Sequence, residues 1–189
     1  MDSAGVKAFF EQVSNQWDDM RSSFYNADVI DALVERGRVT STCRVVDVGT
    51  GTGFVAAGLA GRAGTVIGVD NSPAMLAVAA DNLAAVGAEN VTLAEGEVDV
   101  LPLPDDSVDV AVANMVLHHA PDPAAMLAEM TRVVRPGGTI AITDEIEHHY
   151  EWMRTEQADL WLGFTPDQVH GYFEQARLVE YGYSSLGMQ

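Results

Sequence analysis

Apolar residues recur at helical spacing through the first 40 positions: Val6, Phe9, Phe10, Val13 and Trp17, then Val29, Ile30, Leu33 and Val34, with a polar break from Arg21 to Asn26. Two helices are expected there, stopped by Gly37 and the TST run at 40–42. The pattern then changes period. CRVVDVG (43–49) is short and rich in Val, the signature of a buried strand, and a glycine turn follows it. GFVAAGLAG (53–61) reads as a short buried helix, and TVIGVD (65–70) as a second buried strand ending on Asp70. Ser72 and Pro73 form an N-cap and first-turn pair that opens a helix to about Val86, closed by Gly87.

The cycle repeats. VTLAEG (91–96) is a third strand, and a polar loop with two prolines leads to a fourth, VDVAVANM (108–115). Pro121 to Pro123 opens a helix through Met126, Leu127, Met130 and Val133 that RPGG (135–138) ends, and GTIAITDE is the fifth strand. Continuous Val, Ile and Ala runs alternating with helices specify a doubly wound α/β domain, a mostly parallel sheet with helices on both faces. Beyond it, residues 148–164 carry helical spacing, 165–178 form a capped helix with Pro166 at its first position, and LVEYGYSSLG reads as a last strand.

Composition narrows the function. The chain has 189 residues, enough for one domain, and 48% of them are hydrophobic. No apolar run reaches the roughly 18 to 20 residues that span a bilayer, and the opening segment lacks the pattern of a secretion signal, so a cytoplasmic protein is expected. The single cysteine, Cys43, excludes a disulfide framework and any multi-cysteine metal site. With 28 acidic against 10 basic residues the formal net charge is −18, which repels nucleic-acid phosphates and anionic lipid surfaces. The basic side is nine Arg and one Lys, Lys7, and this balance suits a protein living in high salt.

Candidate chemistry begins at Asp47-Val48-Gly49-Thr50-Gly51-Thr52-Gly53, the first strand-to-helix turn, where ligands of open parallel sheets usually bind. Alternate glycines let a ligand lie against bare backbone, and the helix beginning near Gly53 offers free N–H groups. Asp70, about 20 residues on at the end of the next strand, is placed to accept both hydroxyls of a ribose. A nucleoside-type ligand is expected. The stretch from Gly51 to Ala56 also satisfies the dinucleotide pattern, so the loop alone leaves the nucleoside open.

VVDVGTGTG, VIGVDNSPAML, EGEVDVLPLPDDSVDVAVANMVLHHAPDP and RVVRPGGTIAITD, in that order and spacing, resemble the successive motifs of class I S-adenosylmethionine (SAM) dependent methyltransferases, in the small-molecule branch with quinone and natural-product methylating enzymes. The resemblance spans about residues 43–144. It implies a cofactor-binding core over 43–144, an N-terminal helical lid over 1–40, and acceptor-side helices with a last strand over 145–189, all in one domain. It also implies that this strand is antiparallel and lacks the hairpin partner usual in such domains, leaving an edge that a second copy could pair with as a homodimer.

Carried over by position, the resemblance implies that Gly49, Thr50, Gly51 and Gly53 border the methionine and ribose of SAM, with Asp47 near its ammonium group. Asp70 would accept the ribose hydroxyls, Asn71 would flank them, and Met75 would pack on the adenine. Gly96, Glu97 and Val98 would face the adenine edge, Glu97 standing where relatives carry Asp. Asn114 would line the methionine end, and Trp17, Phe24 and Tyr25 would close the lid, with Tyr25 nearest the ligand. Three acids around a net cation agree electrostatically with that assignment.

Methyl transfer from a sulfonium has a neutral leaving group, so alignment and exclusion of water are the main requirements. His118 and His119 follow the fourth strand on the ligand side, and His119 is the candidate general base for a phenolic acceptor. His148 and His149 invite a metal reading, but adjacent histidines of extended chain point apart and no cysteine supports them, so no metal is expected. DEIEHHYEWMRTEQADLWLGF resembles the stretch after the fifth strand in methyltransferase domains of which some are fused to ArsR-type regulators. Arsenic-methylating relatives need several cysteines, and the one here argues against that substrate. Trp152, Met153, Trp161, Leu162 and Phe164 are candidates for an apolar acceptor wall. The leading expectation is SAM-dependent methylation of a small apolar or aromatic acceptor, yielding S-adenosylhomocysteine (SAH). The alternatives are an NAD-linked oxidoreductase and a non-catalytic SAM-binding sensor.

Overall fold

The computed structural model describes residues 2–187. Eight helices and five strands follow one another as α1 (Ser3–Val13), α2 (Trp17–Arg21), α3 (Asp28–Gly37), β1 (Arg44–Val48), α4 (Phe54–Ala60), β2 (Thr65–Asp70), α5 (Pro73–Ala85), β3 (Val91–Glu95), β4 (Val108–Asn114), α6 (Pro123–Val133), β5 (Val134–Thr143), α7 (Met153–Glu156) and α8 (Pro166–Gln175). A single 3₁₀ turn, Leu117–His119, lies between β4 and α6. The sheet runs β3-β2-β1-β4-β5 with every pairing parallel.

Val runs are strands here because helices cover both faces and water reaches neither. Val46, Val48, Ile67, Val69, Ala111 and Ala113 point to one face, against Met126, Leu127, Met130 and Val133 of α6 and Phe164. Their sequence neighbours Val45, Val66, Val110 and Val112 point to the other, against Leu33 of α3, Val55 and Leu59 of α4 and Leu83 of α5. Local chemistry sets the helix starts. Ser72 accepts from the Met75 N–H, Asp122 from Ala124 and Ala125, and Thr165 closes a capping box with Gln168, each followed by proline. Strand order reverses between β1 and β4, so the crevice outside their carboxyl ends is the natural ligand position.

Four sequence expectations change. The N-terminal segment is three helices, because a turn at residues 14–16 divides the first, where Ser14 Oγ donates back to the Glu11 carbonyl. The fifth strand begins earlier, at Val134, which pairs with Val108 while Thr139 pairs with Val110, so residues 135–138 bulge out between them. Of the helix expected over 148–164 only Met153–Glu156 forms, and Ala158 at φ 65° ends that path. Instead Ile146 and Phe164 meet in an isolated parallel bridge.

The antiparallel last strand is absent among the described residues. Arg177 and Glu180 lie in left-handed backbone (φ 58° and 55°), which an extended strand does not accommodate, and Val179 is 83% exposed. The alternation of aromatics in VEYGYS imitates a strand without a partner to dock on.

Candidate functional site

The turn after β1 and the end of β2 meet at a carboxylate. Asp70 Oδ2 accepts the Gly51 N–H (2.8 Å) and Oδ1 accepts the Ser72 N–H (2.9 Å), so backbone donors from two loops fix its plane. Burial pushes its pKa up, and those N–H groups oppose the shift. Asp47 on β1 is more deeply enclosed, 1% exposed, and takes a hydrogen bond from Thr50 Oγ1 (2.7 Å). Burial drives it up to about 7, the Thr50 hydroxyl opposing and the Asp70 charge adding. Gly49 and Gly51 hold positive φ (70° and 54°), which lets the turn fold back on itself.

These groups border an open pocket of about 1000 Å³, mouth included. Asp47, Gly49, Thr50, Gly51, Asp70 and Asn71 line its floor. Met75, Glu97 and Val98 form one flank, and Tyr25, Asn114 and His119 the other end. The Asn71 amide donates to Glu97 Oε2 (2.8 Å), tying the rim together, and Thr143 Oγ1 donates to Asn114 Oδ1 (2.7 Å). Gly53 and Gly96 do not line the pocket. Gly53 stands behind the wall against Ala79, and Gly96 against Pro102.

Of the lid candidates, Trp17 and Tyr25 line this pocket and Phe24 a smaller cavity. Phe10, Arg21, Thr52 and Phe54 also line the larger pocket and fall outside the sequence set. Arg21 is the one Lys or Arg that lines it, with its guanidinium 3.7 Å from the Phe54 ring centroid. Asp18 joins this layer to the core by accepting from Arg21 Nε (2.8 Å), Thr52 Oγ1 (2.8 Å) and the Asn82 amide (3.0 Å). The helical spacing of Phe10 and Trp17 in the sequence was the available signal, while Arg21 fell in the polar break.

His119 stands in edge contact with Phe10 (ring centroids 4.9 Å) and lines both this pocket and a smaller cavity shared with Trp17, Phe24, Tyr25, Met115 and Met153. Burial, with the neighbouring His118 adding, lowers its pKa well below the usual imidazole value, so it is neutral at pH 7. His118 behaves oppositely. Burial disfavours its charge, but Asp144, bonded to Nδ1 at 2.8 Å, and the nearby Glu145 and Asp159 push it up to about 9. Of the acceptor-wall candidates, Met153 lines the smaller of these two spaces and the others line neither. Trp161 donates its indole N–H to the Ala120 carbonyl, Phe164 is in the core, and Trp152 is 46% exposed.

Residues 46–142 match the family model of the methyltransferase domain. The chain is 42% identical over 106 residues to an arsenite methyltransferase of Halobacterium salinarum, covering 54% of this chain and 27% of that protein. It is 37% identical over 144 residues to a demethylmenaquinone methyltransferase of Geobacillus kaustophilus, covering 70% and 59%. Thus the chain spans between about a quarter and three fifths of the curated relatives it matches. In structure it resembles a chain of the complex between the Haloferax volcanii Trm112 methyltransferase activator and a methyltransferase, with TM-score 0.76, 25% identity, and coverage of 88% of this chain and 75% of that one.

Proposed function

This chain belongs to the class I SAM-dependent methyltransferases, and from that premise we propose that it binds SAM in the larger pocket and methylates a small apolar or aromatic acceptor, releasing SAH. The observation that carries the reading is Asp70. Backbone donors hold each of its oxygens on one side, and each keeps a lone pair with which to accept a ribose hydroxyl. Charge supports the same ligand. Asp47, Asp70, Glu97 and Asp99 line the pocket against one Arg, a balance that favours a sulfonium with an ammonium over a dinucleotide pyrophosphate.

In this reading Asp47 faces the ammonium of SAM, whose charge compensates the cost of ionising the buried carboxyl, and Arg21 pairs with the amino-acid carboxylate. Glu97 and the Val98 backbone face the adenine, and Met75 packs beneath it. Helices α1 and α2 act as a lid that keeps water from the methyl group. The smaller cavity has an aromatic and apolar side, Trp17, Phe24, Tyr25, Met115 and Met153, that supports an apolar or aromatic acceptor, and a polar side formed by His118, His119, Glu145, Gln157 and Asp159. His119 lines both spaces, which supports a role for it beside the acceptor. Arsenite is disfavoured because Cys43 precedes β1, at the sheet end opposite the pocket.

Calorimetric titration of SAM, SAH and NAD into wild type and Asp70→Asn, at low and molar salt, tests the proposal. SAH should bind wild type without any NAD response, and Asp70→Asn should weaken it at least about tenfold, the loss of roughly one charge-assisted hydrogen bond. Heat with NAD and none with SAH would overturn it.

A further inference from the structure

In the wall of the smaller cavity three side chains converge, of which His119 also borders the larger pocket. His118 and His119 occupy consecutive positions of the 3₁₀ turn, which brings their rings to a centroid separation of 3.9 Å where an extended chain would point them apart. Asp159 arrives from the irregular segment after α7. One ring nitrogen of each histidine and one carboxylate oxygen lie within 4.8 Å of one another. Asp159 is 2% exposed, and neither of its oxygens accepts a hydrogen bond among the described residues. An unsatisfied buried carboxylate is costly, so a group with this arrangement calls for a cation.

The histidines are prepared as ligands. His118 Nδ1 lies 2.8 Å from Asp144 Oδ1, and His119 Nδ1 lies 3.2 Å from the Ala158 carbonyl. Oxygen acceptors at both Nδ1 atoms place a hydrogen there and leave Nε2 as the metal-binding atom, the outer arrangement that metal-ligating histidines carry. Asp144 is itself fixed by the Val116 and Leu117 N–H groups (3.1 and 2.9 Å). His118 Nε2 and Asp159 Oδ1 stand 3.8 Å apart, too far for a hydrogen bond and near the roughly 3.4 Å between two ligands of one tetrahedral ion at bond lengths of about 2.1 Å. Glu145 and His148, 2.8 Å from each other, adjoin the same carboxylate, and no Arg or Lys among the described residues pairs with Asp144, Glu145 or Asp159.

We propose that His118, His119 and Asp159 bind one divalent cation of the zinc class, with Glu145 as the adjoining carboxylate. The ion takes the Nε2 lone pair of His118 in place of a proton. His119, which the sequence casts as a general base, then acts as a ligand whose metal faces the acceptor cavity. The test of this site does not pass through methyl transfer.

Chelator-treated protein is titrated with Zn²⁺ by calorimetry and with Co²⁺ by visible absorption. One equivalent should bind, with the intense d–d bands of a low-coordinate Co²⁺ site. Asp159→Asn and His118→Gln should each weaken it at least about 100-fold, while His149→Gln and His170→Gln, exposed histidines outside the cluster, should leave it unchanged. Circular dichroism and melting establish that each variant is folded. If Asp159→Asn fails to fold, X-ray absorption of the wild-type Zn²⁺ complex decides by counting imidazole ligands, two being expected. No uptake by wild type, uptake unchanged in Asp159→Asn, loss confined to the exposed-histidine variants, or fewer than two imidazoles would overturn the proposal and leave His118 and Asp159 as a structural charge pair.

Discussion

Replacing Gly49 or Gly51 by alanine separates two costs that the glycine turn combines. At Gly51 (φ 54°) an added Cβ meets nothing nearer than Trp17 Nε1 at 3.9 Å, so the variant bears the left-handed backbone alone, about 1 to 2 kcal/mol. At Gly49 (φ 70°) the same Cβ lies 2.5 and 2.7 Å from the two γ-methyl groups of Val116, more than 1 Å inside ordinary contact. Overpacking of that kind adds about 1 to 3 kcal/mol, for a total of roughly 2 to 5 kcal/mol. Val116 gives way poorly, since its β-branched side chain is stiff and its N–H is held by Asp144. Urea unfolding at constant m should therefore place Gly49→Ala well below Gly51→Ala. In a double-mutant cycle Val116→Ala should recover about 1 to 2 kcal/mol from Gly49→Ala and nothing from Gly51→Ala. Equal stabilities of the two alanine variants, or a cycle showing no coupling between 49 and 116, would refute the reasoning.

Asp47 makes stability fall as pH rises. Its folded pKa, about 7, exceeds the unfolded value of 3.8, so the folded state binds the extra proton between those values and loses stability across that window. Asp47→Asn should flatten that slope, be more stable than the ligand-free parent at pH 8 by a few kcal/mol, and match it near pH 4. The same variant should lose SAH affinity, which calorimetry at pH 8 reads. Asp18→Ala should release α1 and α2 from Thr52 and Asn82, so that limited proteolysis cuts within the first 27 residues while the melting temperature moves by no more than a few degrees. With a net charge of −18, molar KCl should raise the melting temperature by about 4 to 8 °C over dilute buffer, as relief of about 2 kcal/mol of self-repulsion would, and equimolar sucrose should not reproduce the dependence on ionic strength.

The parts of this molecule that were legible in its sequence are those governed by short-range rules. Val45 to Val48 and Val66 to Val69 announce buried strands because both sheet faces must be apolar, and Ser72-Pro73 and Thr165-Pro166 announce helix starts because orphan N–H groups need acceptors. Asp70 was readable from its distance to the glycine turn. The meeting of His118 with Asp159 was not, since 40 residues of helix, strand and loop separate them and no periodicity encodes how an irregular segment folds back. The tail misled for a related reason. Residues 178–183 alternate like a strand, but a strand is defined by its partner, and left-handed turns at Arg177 and Glu180 take the chain elsewhere.

Helices α1 and α2 contain no buried residue, yet with Phe10, Trp17 and Arg21 they supply one wall of the larger pocket. That wall rests on Asp18 and a few aromatic contacts, so the free energy needed to open it is far below that of global unfolding. Under the proposed function, ligand would exchange by detachment of this segment while the sheet stays intact. Its backbone amides should exchange with solvent orders of magnitude faster than those of β1 and β4, and a ligand that binds only the closed segment should slow them by a factor that rises with its concentration relative to Kd. The residence time of the ligand thus becomes a property of the first 27 residues, adjustable by substitutions that never touch the ligand itself.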